Sequence, residues 1–144
     1  MARRKLKIDP TFDFILLGIA TPLHDYRLAW FLNNQLHKTF SRSEDLVITD
    51  SAGRIQRNFA RFDYDEEITK SHFTLLQNRH NTGFLVPELK EMDYLLLIRS
   101  DYYRKRVPGI LKKIKAIPEV QITAKVEDVE NLKSRNNLIL ADTD

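Results

Sequence analysis

Asp93-Tyr94-Leu95-Leu96-Leu97-Ile98-Arg99 sets five consecutive apolar residues between an acid and a base. A strand with one wet face alternates apolar and polar side chains, so an unbroken apolar run this short has both faces covered. The segment predicts a central strand with a layer on each side. Working outward, Lys5 to Ala20 also reads as extended, with Phe12, Phe14 and Leu16 on one face, Ile15, Leu17 and Ile19 on the other, and Asp9-Pro10 as a break. Thr21-Pro22 then signals a helix start, because a Thr oxygen caps free N–H groups and Pro tolerates the first helical position. The helix is expected to run to about Phe40, burying Leu23, Tyr26, Ala29, Trp30, Leu32 and Leu36 as one stripe.

Between Asp45 and His80 the texture changes to alternation broken by turns. Asp50-Ser51-Ala52-Gly53 splits Leu46–Thr49 from Ile55–Tyr64 as a hairpin does, a second turn falls at Asp65–Lys70, and Ser71 to Asn78 supplies another strand. Asn81-Thr82-Gly83 turns the chain into Phe84-Leu85-Val86, where Pro87 removes a ladder donor and ends the piece. Beyond the central run, Ser100 to Ile117 has helical spacing at Ile110, Leu111, Ile114 and Ile117, with Pro108 in the first turn and Pro118 as the stop. Val120, Ile122, Ala124 and Val126 alternate with polar residues as a half-buried strand. The strand–helix–strand order is a crossover between parallel neighbours or an antiparallel return. Asp128 is expected to cap a short helix to about Ser134, and Leu138-Ile139-Leu140 to add an extended contact. The fold expected is α+β: a mostly antiparallel sheet of about five to seven strands with two main helices packed on it.

Composition narrows the class. The chain has 144 residues, 42% hydrophobic and 30% charged, with four Gly and five Pro, a balance that excludes disordered, collagen-like and low-complexity chains. With no repeat and no Gly/Ser or Pro linker, residues 1–144 are expected to form one α+β domain, with a polar tail from about 141. The absence of Cys removes disulfides, thiolate metal sites and Cys nucleophiles, and suits a reducing cytoplasm, the location expected here. The longest mainly apolar run, Phe14 to Ala20, falls far short of the roughly 18 residues of a membrane span, so no membrane association is expected.

Charge is modest on average and strong locally. The whole chain carries +3, yet Arg99 to Lys115 holds seven basic residues and one acid, Asp101, for a net +6. Tyr102 and Tyr103 stand beside Arg104, Lys105 and Arg106, and Lys112, Lys113 and Lys115 follow. Clustered cations displace counterions from a phosphate backbone and aromatic rings stack on unpaired bases, so RNA is a possible partner of this face. A solvated amphipathic helix explains the same residues.

No Walker loop, no G-x-G-x-x-G and no G-x-S-x-G occurs, and the four Gly are isolated. His24, His37, His72 and His80 form no H-E-x-x-H, H-x-H or tight His/carboxylate spacing, so no catalytic residue, metal ligand or cofactor is assigned. Asp63-Tyr64-Asp65-Glu66-Glu67 lacks the Gly and later Glu of a calcium loop and reads as a solvated hairpin. Asp25 sits in the first turn of the main helix, and Arg27 is expected to pair with Asp13 or Asp93, or else to hold an anion. Asp25, Arg27 and Arg99 are thus candidates for an ion pair or an anion contact.

Val86-Pro87-Glu88-Leu89-Lys90-Glu91-Met92-Asp93-Tyr94 resembles the signature of the IPExxxVDY family, small bacterial proteins of unknown function. Pro87, Glu88, Asp93 and Tyr94 match it, while Val86 and Met92 are apolar swaps. Phe14–Ile19, Asp25–Trp30, Gly83–Leu85 and Leu95–Arg99 are similar to it as well, and Pro108-Gly109 departs from the pattern. The resemblance implies a bacterial setting but no reaction. Turn chemistry accounts for the signature, and the alternative is that Glu88, Asp93 and Arg99 line one pocket. The function expected is a non-enzymatic protein-binding or adaptor module that uses the basic face, self-association included. An RNA-binding accessory protein is the second reading, and a cofactor-free enzyme or small-ligand binder the third.

Overall fold

The structure is a computed structural model that describes residues 13–49 and 52–142, with side chains to Leu138. The expected strand content of 5–12, including Asp9-Pro10 and Phe12, lies outside the described residues, as do the Asp50-Ser51 half of the first turn and the last two tail residues.

The protein is α+β. Strands β1 (Ile15–Ala20), β2 (Ser41–Arg42), β5 (Arg61–Glu66), β6 (Ser71–Gln77), β9 (Tyr94–Arg99) and β10 (Ile122–Lys125) form a six-stranded antiparallel sheet. Its order is β10-β1-β9-β6-β5-β2. Two small hairpins stand apart, β3 (Leu46–Thr49) with β4 (Gln56–Phe59) and β7 (Arg79–His80) with β8 (Gly83–Phe84). Strand β9 is central as its run of apolar residues predicts, aligning Leu96 with Leu17 of β1 and Leu75 of β6. Its alternate side chains enter two separate cores. Tyr94, Leu96 and Ile98 join Ile15, Leu17 and Ile19 beneath helices α1 (Asp25–Leu36) and α2 (Val107–Lys115). Leu95 and Leu97 join Phe14 and Leu16 beneath the β3–β4 hairpin, Leu85, Val86 and Leu138.

Strands β9 and β10 both run antiparallel to β1, which lies between them, so they are parallel to each other without touching. The β9-α2-β10 passage is therefore neither a crossover between neighbours nor an antiparallel return. Ile122 is 49% exposed because β10 is an edge strand and not the half-buried strand expected. The stretch Ile55–Tyr64 is two strands in different sheets, with Ala60 between them. The basic helix is also divided, into a 3-10 turn at Tyr102–Lys105 and α2, where Pro108 occupies the first turn as expected. Downstream, the expected helix to Ser134 is only a 3-10 turn at Val129–Asn131, and Leu138-Ile139-Leu140 is helical within α3 (Arg135–Asp142), which also occupies the start of the expected tail.

Helix α1 differs most from its sequence pattern. Thr21 does not cap it: the hydroxyl donates to the Glu119 carbonyl (2.9 Å) and accepts from the Leu23 N–H (3.3 Å), while the helix starts at Asp25. It ends at Leu36 because His37 adopts a left-handed conformation (φ 55°) and donates its N–H to the Asn33 carbonyl. Asn33 then holds the outgoing chain, accepting from Phe40 N–H (2.7 Å) and donating to the Phe40 carbonyl (3.3 Å). Leu28, Ala29, Leu32 and Leu36 are buried, whereas Tyr26 is 63% and Trp30 54% exposed. Among the described residues no helix is long and apolar enough to cross a membrane.

Candidate functional site

The signature residues meet at the start of β9, where they hold the chain together. Val86 is fully buried, and Pro87 opens a 3-10 turn at Pro87–Leu89. Asp93 accepts from the Thr21 N–H (2.8 Å) and from Arg79 Nε (2.7 Å), its own N–H donates to the Ile19 carbonyl, and its carbonyl accepts from Asn78 N–H. Tyr94 donates its hydroxyl to the Leu23 carbonyl at 2.6 Å, and burial pushes that hydroxyl well above its ordinary pKa. Glu88 instead accepts from the N–H and hydroxyl of Ser134 (2.7 and 2.9 Å). Burial opposes ionisation of Glu88, but these bonds outweigh it and lower its pKa.

Asn78, which sequence reading passed over, is the hub of this region. It is fully buried; its amide donates to the Leu89 and Met92 carbonyls (3.0 and 2.8 Å) and accepts from Val86 N–H (2.8 Å). One Asn after a strand carries no signal of such burial. The alternative reading, one pocket lined by Glu88, Asp93 and Arg99, is not met. Asp93 precedes the six-residue strand β9 and Arg99 ends it, roughly 20 Å apart at about 3.3 Å per residue. Arg99 lies over the Phe14 ring (5.1 Å) and donates to the Asp13 carbonyl (3.4 Å).

At the far end of β9 the sheet carries charge on the face away from α1 and α2. Register aligns Arg99 with His72 and His72 with Asp65, while Asp63 faces Thr74 one row along. His72 stands between two carboxylates, Nε2 2.8 Å from Asp63 and Nδ1 2.5 Å from Asp65. Both ring nitrogens must donate, so the imidazolium is favoured: the Asp63 bond, against burial and with Asp65, lifts His72 to about 8. Burial opposes a charged Asp63, but bonds from His72, Arg61, Ser43 and Thr74 hold its carboxyl well below the usual range. This cluster joins a His to carboxylates that no sequence spacing linked to it, and it corrects the reading of the acidic run as a solvated hairpin. Asp63 and Asp65 alternate before the turn as His72 and Thr74 alternate after it, a signal that becomes readable once the hairpin register is known.

The cluster borders an open cleft of about 540 Å³ lined by Asp65, Glu67, Lys70, His72 and Arg99 among others. Its side chains satisfy one another. Ser43 donates to Asp63 (2.6 Å), leaving no His between hydroxyl and carboxylate as nucleophile activation requires. Neither His72 nitrogen is left to accept a proton. Among the described residues, no group of three or more His, Asp or Glu is placed to hold a metal ion. The turn that follows has a similar self-satisfied core: Lys38 bonds Glu66 and Tyr103 and lies within 5.8 Å of the Tyr64, Phe73 and Tyr103 ring centroids.

The basic segment separates into three parts. Arg99 belongs to the opposite face of the sheet. Tyr103 turns inward to Glu66 (2.5 Å), and Arg104 pairs with Asp13 (2.5 Å). Lys105, Arg106, Lys112, Lys113 and Lys115 reach solvent with Tyr102, which is 45% exposed and carries the Arg106 guanidinium 3.7 Å above its ring centroid. Helix α1 lies alongside, Gln35 Nε2 donating to the Lys113 carbonyl at 2.9 Å. Arg27 is exposed and pairs with neither Asp13 nor Asp93; its guanidinium sits 5.7 Å from the Trp30 centroid and 5.3 Å from that of Phe31. Asp25 is indeed in the first turn, but Asp25, Arg27 and Arg99 do not converge. The exposed aromatic side of α1 was missed because Tyr26 and Trp30 fit an apolar stripe as well as Leu28 and Leu32 do. No protein-family model matches the chain, and a search of curated proteins finds no match to it.

Proposed function

We propose that this is a non-enzymatic binding module of the bacterial cytoplasm that contacts a protein partner, another copy of itself included, through the solvent side of its helical layer. One observation carries the reading: Lys105, Arg106, Lys112, Lys113 and Lys115 all face solvent while Val107, Ile110 and Ile114 fill the core behind them. Among the described residues none of the five belongs to an ion pair. Exposed charge of one sign contributes partner selection and association rate more than raw affinity. Kinship with the IPExxxVDY proteins is part of the proposal, supported by Pro87, Glu88, Asp93 and Tyr94 in the signature.

RNA binding is the competing reading, favoured by the same cations. Against it, Arg106 already covers one face of Tyr102, the ring on which a base would stack. The test is affinity purification of the tagged protein from its own cytoplasm with and without nuclease, beside a variant with Lys105, Arg106, Lys112 and Lys113 reversed to Glu. A partner that survives nuclease and is lost from the folded variant supports the module. Unchanged partner recovery by the variant removes it, and partners lost on nuclease treatment with RNA co-purifying transfer the reading to RNA.

A further inference from the structure

Two rings that a soluble helix would ordinarily bury stand on the outside of α1, and a guanidinium is stacked near them. Trp30 meets Phe31 edge-on with centroids 5.0 Å apart, Arg27 lies over both, and His24 stacks parallel to Tyr26 at 6.2 Å. Just before α2 a related pair occurs, with Arg106 on Tyr102. Trp, Tyr and Arg are the residues that supply most binding energy at protein interfaces, because they combine large apolar area with a directed polar edge. A guanidinium near an aromatic ring keeps donors for a carboxylate, which its planar fork takes by two parallel bonds. A nucleobase, in contrast, must displace the guanidinium to stack on the face that it covers. The side-by-side packing of α1 and α2 adds Lys112, Lys113 and Lys115 to the same solvent side.

We infer that the Tyr26–Trp30 side of α1 is the anchor for an acidic amphipathic helix of a partner protein, whose apolar stripe covers the two rings while its carboxylates face Arg27, Arg106 and the α2 lysines. The charge complementarity selects the occupant, and an amphipathic helix supplies apolar anchors at the i, i+3, i+4 spacing that a helical surface receives. This inference rests on the proposed binding role of the helical layer and adds the partner's chemistry.

Trp30 is the only tryptophan in the chain, so its emission reports on this surface alone. The probes are a synthetic helical peptide with a Leu stripe and Glu on its other faces, the same peptide with Gln for Glu, a single-stranded RNA oligomer, and vesicles containing phosphatidylserine. The acidic peptide is expected to bind and shift Trp30 emission to the blue. Calorimetry should show binding weakened by about tenfold or more in Trp30→Ala and in Arg27→Glu, with the Gln peptide weakened to a similar degree. Failure of the acidic peptide to bind, equal binding of the Gln peptide, or a Trp30 shift with RNA or vesicles instead overturns the inference. If Trp30→Ala retains the nuclease-resistant partner that the α2 charge reversal loses, the anchor is wrong while the binding module stands.

Discussion

The two ends of β9 differ in how their charges are used. At the Asp93 end, the carboxylate, the Tyr94 hydroxyl and the Asn78 amide all bond to backbone of other segments, tying β1, β6, the 3-10 turn and the start of the first helix together. Beyond the Arg99 end, the chain leads into a helix whose lysines are exposed, Lys115 alone donating to a backbone carbonyl, that of Gln121. A polar group enclosed by its partners is expensive to remove and chemically silent, whereas an exposed cation is cheap to remove and available. By that measure the stretch Val86–Tyr94, the most recognisable of the sequence, is architecture, and the proposed binding surface lies elsewhere.

Substitutions at the two ends can break this contrast. The largest effect is expected at Asn78→Ala, which strands the Val86 N–H and the Met92 carbonyl and leaves the Leu89 carbonyl only the Met92 N–H; urea unfolding should show a loss of about 3 kcal/mol, and a loss near zero would make the hub idle. Next is Gly18→Ala: a Cβ there would lie 2.6 Å from Met92 Cγ and 2.7 Å from Sδ. Overpacking predicts a loss of about 1 to 3 kcal/mol, and pairing it with Met92→Ala should cost less than the sum of the two single changes.

A smaller effect belongs to His72. Its folded pKa of about 8 lies above the ordinary 6.5, so its stabilisation is complete below pH 6.5 and is lost as pH rises through 8. With a side chain 36% exposed, screening limits the change to about 1 kcal/mol; urea midpoints across this window should fall for the natural protein and stay flat for His72→Gln. The smallest effect on stability is expected for Lys112→Glu with Lys113→Glu, within about 0.5 kcal/mol, alongside the loss of partner binding. If these changes unfold the protein, the helix surface is structural as well and the contrast collapses.

The backbone was largely legible. An unbroken apolar run fixes a central strand, Pro108 marks a first turn, and turn residues divide the meander. What stayed hidden depends on contacts distant in sequence. Tyr26 and Trp30 are apolar enough to count toward a buried stripe, but Leu28, Leu32 and Leu36 form a rival one, and only the fit of α1 on the sheet chooses. Thr21 resembles a cap until the Glu119 carbonyl, 98 residues away, takes its hydroxyl. His72 lacks a carboxylate at any motif spacing and gains two from the neighbouring strand. The candidate surface was thus half legible: its lysines from local charge, its aromatic anchor only from the fold.

The position of β1 between β9 and β10 also fixes the timing of assembly. Its partners arrive late: the Thr123 hydroxyl that reaches the Gly18 carbonyl is 105 residues downstream. At synthesis rates of about 5 to 20 residues per second, an N-terminal strand with this topology waits on the order of 5 to 20 s for its outer neighbour to be made. Until then one edge of β1 has no neighbour, while α1, made directly after it, supplies Leu28 and Leu32 against Ile15, Leu17 and Ile19. Such non-local pairing belongs to slow-folding topologies.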